Sequence, residues 1–227
     1  MKSISPRERL NRLVELAAET SAAARRELTN EVAGLLLDWP STYPEAMREP
    51  FEALLEKSLA DIEPEGRALL AERFAKKPGI PLPILNALIF DASPEVRAEI
   101  LARNGAAFHG GATEDVCGES ALLAGLRVAD IDDIAPVLSA HLHVPQPTAA
   151  RIVADSSATT LAVLCRGAGL SRPTFSALAV LSSPSADVDE HYRRLAAYDD
   201  VPDNAAISLL SHWRRQVEPP SQAAEAA

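Results

Sequence analysis

The sequence predicts an all-α protein, a solenoid-like array of short antiparallel helix pairs. Hydrophobic residues make up 47% of the 227-residue chain but aromatics only 4%, and Ala and Leu carry most of the apolar weight. That mix favours closely packed helices over β-sandwiches. Apolar residues also recur at spacings of three and four, with Pro, Gly, Ser or Asp punctuating the segments between. Finally, "DIEPEGRALLAER" (61–73) and "DASPEVRAEILAR" (91–103) begin thirty positions apart and share Asp, Pro, Glu, Arg, Ala and the final Arg. A phrase written twice points to a repeated structural unit.

The first helix is expected to start at Pro6, capped by Ser5 and Glu8, with Leu10, Leu13, Val14 and Ala17 as its buried stripe. A second runs from about Ser21 with Leu28, Val32, Leu35 and Leu36 inward, stops before Pro40 and forms a hairpin with the first. The third spans about Pro50 to Ala60 with Phe51, Leu54, Leu55 and Leu59 on one face, because Pro suits a helix start better than its interior. The two matching helices follow, separated by "KKPGIPLPILNALIF", a loop and then a short buried helix. Over "GAAFHGGATED" the apolar period is lost. The expected organisation is therefore a helical region at 1–104, a glycine-rich joint at 105–120, a second helical region at 121–217 and a disordered tail at 218–227. The second region contains "DIDDIAPVLSAHL", "PTAARIVADS", "ATTLAVLCRGAGL", "RPTFSALAVLSS", "ADVDEHYRRLAAY" and "PDNAAISLLSHWRRQV", each a short amphipathic helix.

In both copies of the phrase the Asp precedes the helix, Pro64 or Pro94 presets its first turn and Glu65 or Glu95 complements its dipole. Arg67 and Arg97 follow their Asp by six positions. Asp61, Arg67, Asp91 and Arg97 are thus expected to form a ladder of charge-assisted hydrogen bonds that sets the stacking register. Gly66 stands where the second copy has Val96, at a cost of about 1 kcal/mol relative to Ala in a helix interior, which close packing would explain. A weaker third echo begins at Asp155 in "DSSATTLAVLCR".

An Asp, a helix start and a Val-Arg pair in this order resemble HEAT-type helical repeats. The wider layout resembles a bacterial family, the domain-of-unknown-function family 2336. The likeness lies in residues 54–101, in "TTLAVLCRGAGLSRPTFSALAVL" and in "YRRLAAYDDVPDNAAISLLSHWRRQ". That resemblance implies a helical, HEAT-like protein and brings no catalytic residues with it.

Candidate chemistry is thin. "HGGA" at His109 resembles the oxyanion-loop sequence of some esterases, but "GESAL" lacks the second Gly of a nucleophile elbow. A Cys117–His109 dyad has no orienting third member. Cys165 shares a helical stripe with Leu161, Leu164 and Ala168 and belongs in the core. His141 and His143 diverge by about 200° if helical and have no ligand at metal spacing. Asp130, Asp132 and Asp133 lack the Gly and Glu of a calcium loop and are expected to cap the next helix. Neither a metal nor a cofactor is called for. The pairs Arg25–Arg26, Arg193–Arg194 and Arg214–Arg215 are read as solvated helix faces. Trp213 falls on a stripe with Ile207, Leu210 and Val217 and is expected to close the core; as an alternative, Trp213, Arg214 and Arg215 form a candidate interaction site.

There are 22 basic and 32 acidic side chains; residues 1–104 hold 14 and 17, and residues 105–227 hold 8 and 15 with no Lys. Phosphate backbones attract concentrated Lys and Arg, so nucleic-acid recognition by a HEAT-like surface is the second choice. A third is an enzyme with its site near 105–120. No apolar run resembles a signal peptide or reaches the twenty or so residues of a membrane span, and the two cysteines suit a reducing compartment. The expected function is that of a non-enzymatic, cytoplasmic module that binds another protein.

Overall fold

Proline and short polar side chains place the helix starts. Ser21 accepts the Ala24 amide (3.1 Å) to begin α2 (Ala22–Leu37), and Ser171 does the same for Thr174 in α11 (Arg172–Leu181). Pro64 opens α4 (Pro64–Ala75) and Pro94 opens α6 (Pro94–Ala107), where a missing N–H costs nothing because first-turn amides have no intrahelical partner. The structure, a computed structural model, describes residues 6–19, 21–108, 119–128, 133–183, 185 and 187–216. Among these, thirteen α-helices occur and no strand.

The chain divides into two compact units, Met1–Ile100 and Leu101–Ala227. The first holds α1 (Pro6–Ala18), α2, α3 (Arg48–Ser58), α4, α5 (Leu82–Leu88) and the start of α6. α1 packs on α2, and α2 on α3 and α4. The buried side of α1 differs from the expected stripe. Leu13 and Leu16 are buried, whereas Val14 is 70% exposed and Ala17 is exposed, because a spacing of three already aligns Leu13 with Leu16 towards α2. α3 starts at Arg48, two residues before Pro50, which is tolerated in the first turn. Leu55 and Leu59 are fully buried; Leu54 is not. α5 is buried through Ile84, Leu85 and Leu88, after a turn in which Gly79 adopts φ +79°.

The second unit contains the end of α6, then α7 (Glu119–Val128), α8 (Ile134–Leu142), α9 (Gln146–Ala154), α10 (Thr159–Gly167), α11, α12 (Val188–Asp200) and α13 (Asp203–Arg215). Residues 105–107, assigned to a joint on sequence grounds, continue α6. They stay helical because α13 is pinned there: Asn204 donates to the Gly105 carbonyl (3.0 Å) and Ser208 to the buried Asn104 side chain (3.0 Å). Residues 109–118 of the expected joint, and the expected tail at 218–227, lie outside the described residues. The helix over Glu119–Val128 has no counterpart among the expected segments.

α10 is the centre of this unit. Thr160, Leu161, Ala162, Val163, Leu164 and Cys165 are all buried, so it is enclosed on every side. It packs on α9, α11, α12 and, most extensively, α13. Asp155 organises its start, accepting from the amide and hydroxyl of Ser157 (3.1 and 2.9 Å) and of Thr160 (3.0 and 2.8 Å). This cap holds the intervening Ala158 in the left-handed region (φ 57°), which a non-glycine residue enters at a cost of about 1–2 kcal/mol. The Asp of the third echo thus caps a core helix.

Candidate interaction surface

The repeated phrase resolves into the same local bond in each copy. Arg67 donates to the carbonyl of Ile62 (2.7 Å) and Arg97 to that of Ala92 (3.0 Å), in both cases the residue after the copy's own Asp. Each Asp meets an Arg from an earlier element. Arg67 donates Nε–H and Nη2–H to the two carboxylate oxygens of Asp91 (2.8 and 3.0 Å), while Asp61 lies 3.5 Å from Arg25 of α2. The first is a bidentate, largely shielded fork. The Asp91 carboxylate raises the Arg67 pKa. Arg97 also donates to the Phe90 carbonyl (3.0 Å). All four residues are thereby occupied in joining turns and helices of the first unit. At Gly66, an added Cβ would lie 2.6 Å from a methyl of Ile62.

The second unit uses its charged residues in a similar way. Arg194, read from sequence as half of a solvated pair, is 2% exposed. Its guanidinium donates to the carbonyls of Ala179 (3.2 Å), Asp155 (3.1 Å) and Ser156 (2.6 Å) and to the Ser182 hydroxyl (2.9 Å), tying α12 to the end of α11 and the α9–α10 turn. Burial pushes its pKa down, against the pull of Asp155 and Glu190. The buried face of α12 runs through Arg194, Ala197 and the following Val201, so the available signal was an Arg where the helical period asks for an apolar residue. Arg166 donates to the Tyr198 carbonyl (2.8 Å) and to Asp203 (2.7 Å), and its guanidinium lies 5.1 Å from the Tyr198 ring centre. Arg172 pairs with Asp199 through two bonds (3.2 and 2.6 Å).

Glu119 carries no comparable signal in the sequence. Its Oε1 accepts from the amide and hydroxyl of Ser171 (3.1 and 2.5 Å) and from the Thr174 hydroxyl, linking the start of α7 to the start of α11. These bonds, led by the Ser171 hydroxyl, hold the Glu119 carboxyl below its usual range.

Trp213 is 1% exposed and closes the core of α13 with Leu209 and Leu210, so it presents no interaction face. Arg214 donates to the Leu142 carbonyl (3.0 Å), which leaves Arg215 as the exposed member of that candidate set. Cys165 is fully buried, and desolvation followed by the charge of Glu119 pushes its thiol strongly up, away from the thiolate that nucleophilic chemistry requires. His109, Cys117, Asp130 and Asp132 lie outside the described residues; Asp133 begins α8 without a side-chain cap. His141 sits in the last turn of α8, and His143 ends that helix in the left-handed conformation (φ 55°). Among the described residues, no three His, Cys, Asp or Glu side chains are grouped to hold a metal ion. No described helix is long and apolar enough to cross a membrane.

What remains is an apolar corner. Among the described residues of the first unit, the exposed large apolar side chains, Val14, Met47, Leu54 and Leu69, are scattered along the chain on separate elements. In the second unit all those among the described residues flank one loop. Val180 (49%) and Leu181 (48%) end α11, and Val188 (61%) and Tyr192 (69%), one helical turn apart, open α12. The two helices pack against each other. This corner lies within the stretch that a family model matches. Residues 112–211 match the family DUF2336. The family is described as an uncharacterised protein conserved in bacteria. The DUF2336 match spans α7 to most of α13, and therefore the second and most of the third stretch that carried the sequence resemblance, but not residues 54–101. No curated protein and no solved structure matches the chain.

Just beyond the matched residues, α13 carries a buried histidine, His212. Burial, and then the nearby Arg215, push the His212 pKa down to about 4 from an ordinary 6.5. The folded state therefore holds the neutral imidazole, while the unfolded chain takes up a proton below about pH 6.5. The stabilisation is complete above pH 6.5 and is lost as the pH falls through 4. We expect about 2–3 kcal/mol of stability to disappear over that window, and the His212→Leu variant to lose correspondingly less. Urea midpoints of both proteins between pH 7 and 4 measure the difference; parallel curves would remove His212 from the account.

Proposed function

We propose that the chain is a non-enzymatic protein-interaction module of a bacterial cytoplasm, an adaptor or regulator built on HEAT-like helical packing. The observation that carries this reading is the corner formed by Val180, Leu181, Val188 and Tyr192. Large apolar side chains left in water at the adjoining ends of two packed helices cost free energy that covering them recovers, and exposed apolar patches mark interaction sites. The charged residues give it further support. Arg67, Arg166 and Arg194 are committed to carboxylates or carbonyls within their own unit, and the chain's 32 acidic against 22 basic side chains disfavour a phosphate backbone as partner.

Affinity capture from the native cell tests the reading, using the wild-type chain and a Val188→Asp/Tyr192→Asp variant side by side, with mass spectrometry of what is retained. The expected result is a reproducible set of proteins held by the wild type and absent from the variant, whose melting temperature should be close to normal because both positions are exposed. Identical capture by both chains, or no reproducible protein, would remove the corner from the proposal.

A further inference from the structure

We infer that the α11–α12 corner takes a basic amphipathic helix from another protein. The inference rests on the interaction reading above and adds the chemistry of the partner. Val188 and Tyr192 stand about 6 Å apart along α12, and Val180 and Leu181 close the other side of the loop. The one-turn spacing of Val188 and Tyr192 matches the i, i+3/i+4 period of anchors on a short helix laid across a hydrophobic surface.

The sign of the partner follows from the residues around those anchors. Asp187 and Asp189 are exposed beside Val188, and Glu190 is half-exposed on the next position. The Asp187 carboxylate is held in place by the Asp189 amide (3.0 Å). Arg193 is the exposed cation next to Tyr192, whereas the adjoining Arg194 is buried among carbonyls and adds little to the surface. With Glu190 set against the buried Arg194 one turn on, the exposed Asp187 and Asp189 carboxylates outnumber the Arg193 guanidinium and leave the edge negative. That balance disfavours a second copy of this chain: two such corners brought face to face would oppose like charges across their rims, whereas Lys or Arg flanking an apolar stripe would meet them favourably.

The test uses a synthetic helix of about 18 residues, five turns, with a Leu stripe flanked by Lys. Its controls are the same helix with Glu for Lys and a composition-matched peptide without the stripe. Binding is read from fluorescence anisotropy and from methyl NMR shifts of Val and Leu at low and moderate salt. The small patch sets the expected affinity in the micromolar range. Val188→Ser/Tyr192→Ser should weaken binding about tenfold or more, as removal of central apolar anchors does. Asp187→Asn/Asp189→Asn, which keeps the helix cap, should weaken it about threefold at low salt and little at higher salt.

Equal binding of the Glu helix would overturn the charge assignment while leaving the corner as an interaction site. Shifts confined to methyls elsewhere, or binding unaffected by Val188→Ser/Tyr192→Ser, would overturn the inference; the capture experiment then judges the interaction reading by itself. Concentration-dependent dimerisation abolished by Val188→Ser/Tyr192→Ser would overturn it in favour of a second copy.

Discussion

Arg194→Met is expected to lower the unfolding free energy by about 3 kcal/mol or more. Methionine fills a similar volume and brings no donor. The carbonyls of Ala179, Asp155 and Ser156 and the hydroxyl of Ser182 would all lose the guanidinium they now share. An acceptor stranded in a protein interior costs about 1–3 kcal/mol; the total stays below the simple sum because the Asp155 carbonyl also accepts from Ala158 (3.1 Å). Lysine at the position retains charge but offers a single ammonium in place of a planar fork, so Arg194→Lys should recover only part of the loss. The neighbouring Arg193 is exposed, and Arg193→Met should change stability by less than about 0.5 kcal/mol. Urea unfolding of the three variants decides the matter. Equal midpoints for the two methionine variants would mean that Arg194 is not the tie described.

Gly167→Ala is expected to cost about 2 kcal/mol or more, although Ala is the better helix former by about 1 kcal/mol. The reason is the approach of α13. A Cβ on Gly167 would lie 2.6 Å from the Ala206 carbonyl oxygen, 3.0 Å from its carbon and 3.0 Å from the Leu210 Cβ. Two of these atoms are backbone, so no side-chain rotation relieves the overlap and the helices must separate. Separation would loosen the most extensive packing of the second unit, where Leu161, Leu164, Leu209 and Leu210 are fully buried. Gly125→Ala is the comparison. There the neighbours are side-chain atoms of His141 and Val137 at 3.2 and 3.3 Å, which can move by a few tenths of an ångström. Thermal unfolding should place Gly167→Ala well below both Gly125→Ala and wild type; a stabilised Gly167→Ala would show that helix propensity outweighs the contact.

These two residues also mark where a sequence reading stops. Gly167 and Arg194 look ordinary in a one-dimensional pattern, a glycine near a helix end and half of a basic pair. Their importance comes from atoms contributed by residues 39 positions away in each case, Ala206 for Gly167 and Asp155 for Arg194. Glu119 is similar, since its partners Ser171 and Thr174 lie 52 and 55 positions further along. The apolar corner was hidden for another reason. Val180, Leu181, Val188 and Tyr192 are indistinguishable from core residues by type, and only the accessible surface of the folded unit separates them from Phe175 or Leu178.

The amino-acid sequence by itself determined the helical class, the positions of most helices and the burial of Cys165 and Trp213. It also held the repeated Asp-to-Arg phrase, because capping, proline placement and helical periodicity act between residues a few positions apart. Tertiary structure alone decided that α10 is enclosed, that α6 continues through Gly105, that Arg67 faces Asp91 while Arg194 faces carbonyls, and that one apolar corner stays in water. Those outcomes depend on which surfaces distant helices bring together, a choice made by the summed burial of many side chains and carried by no local pattern.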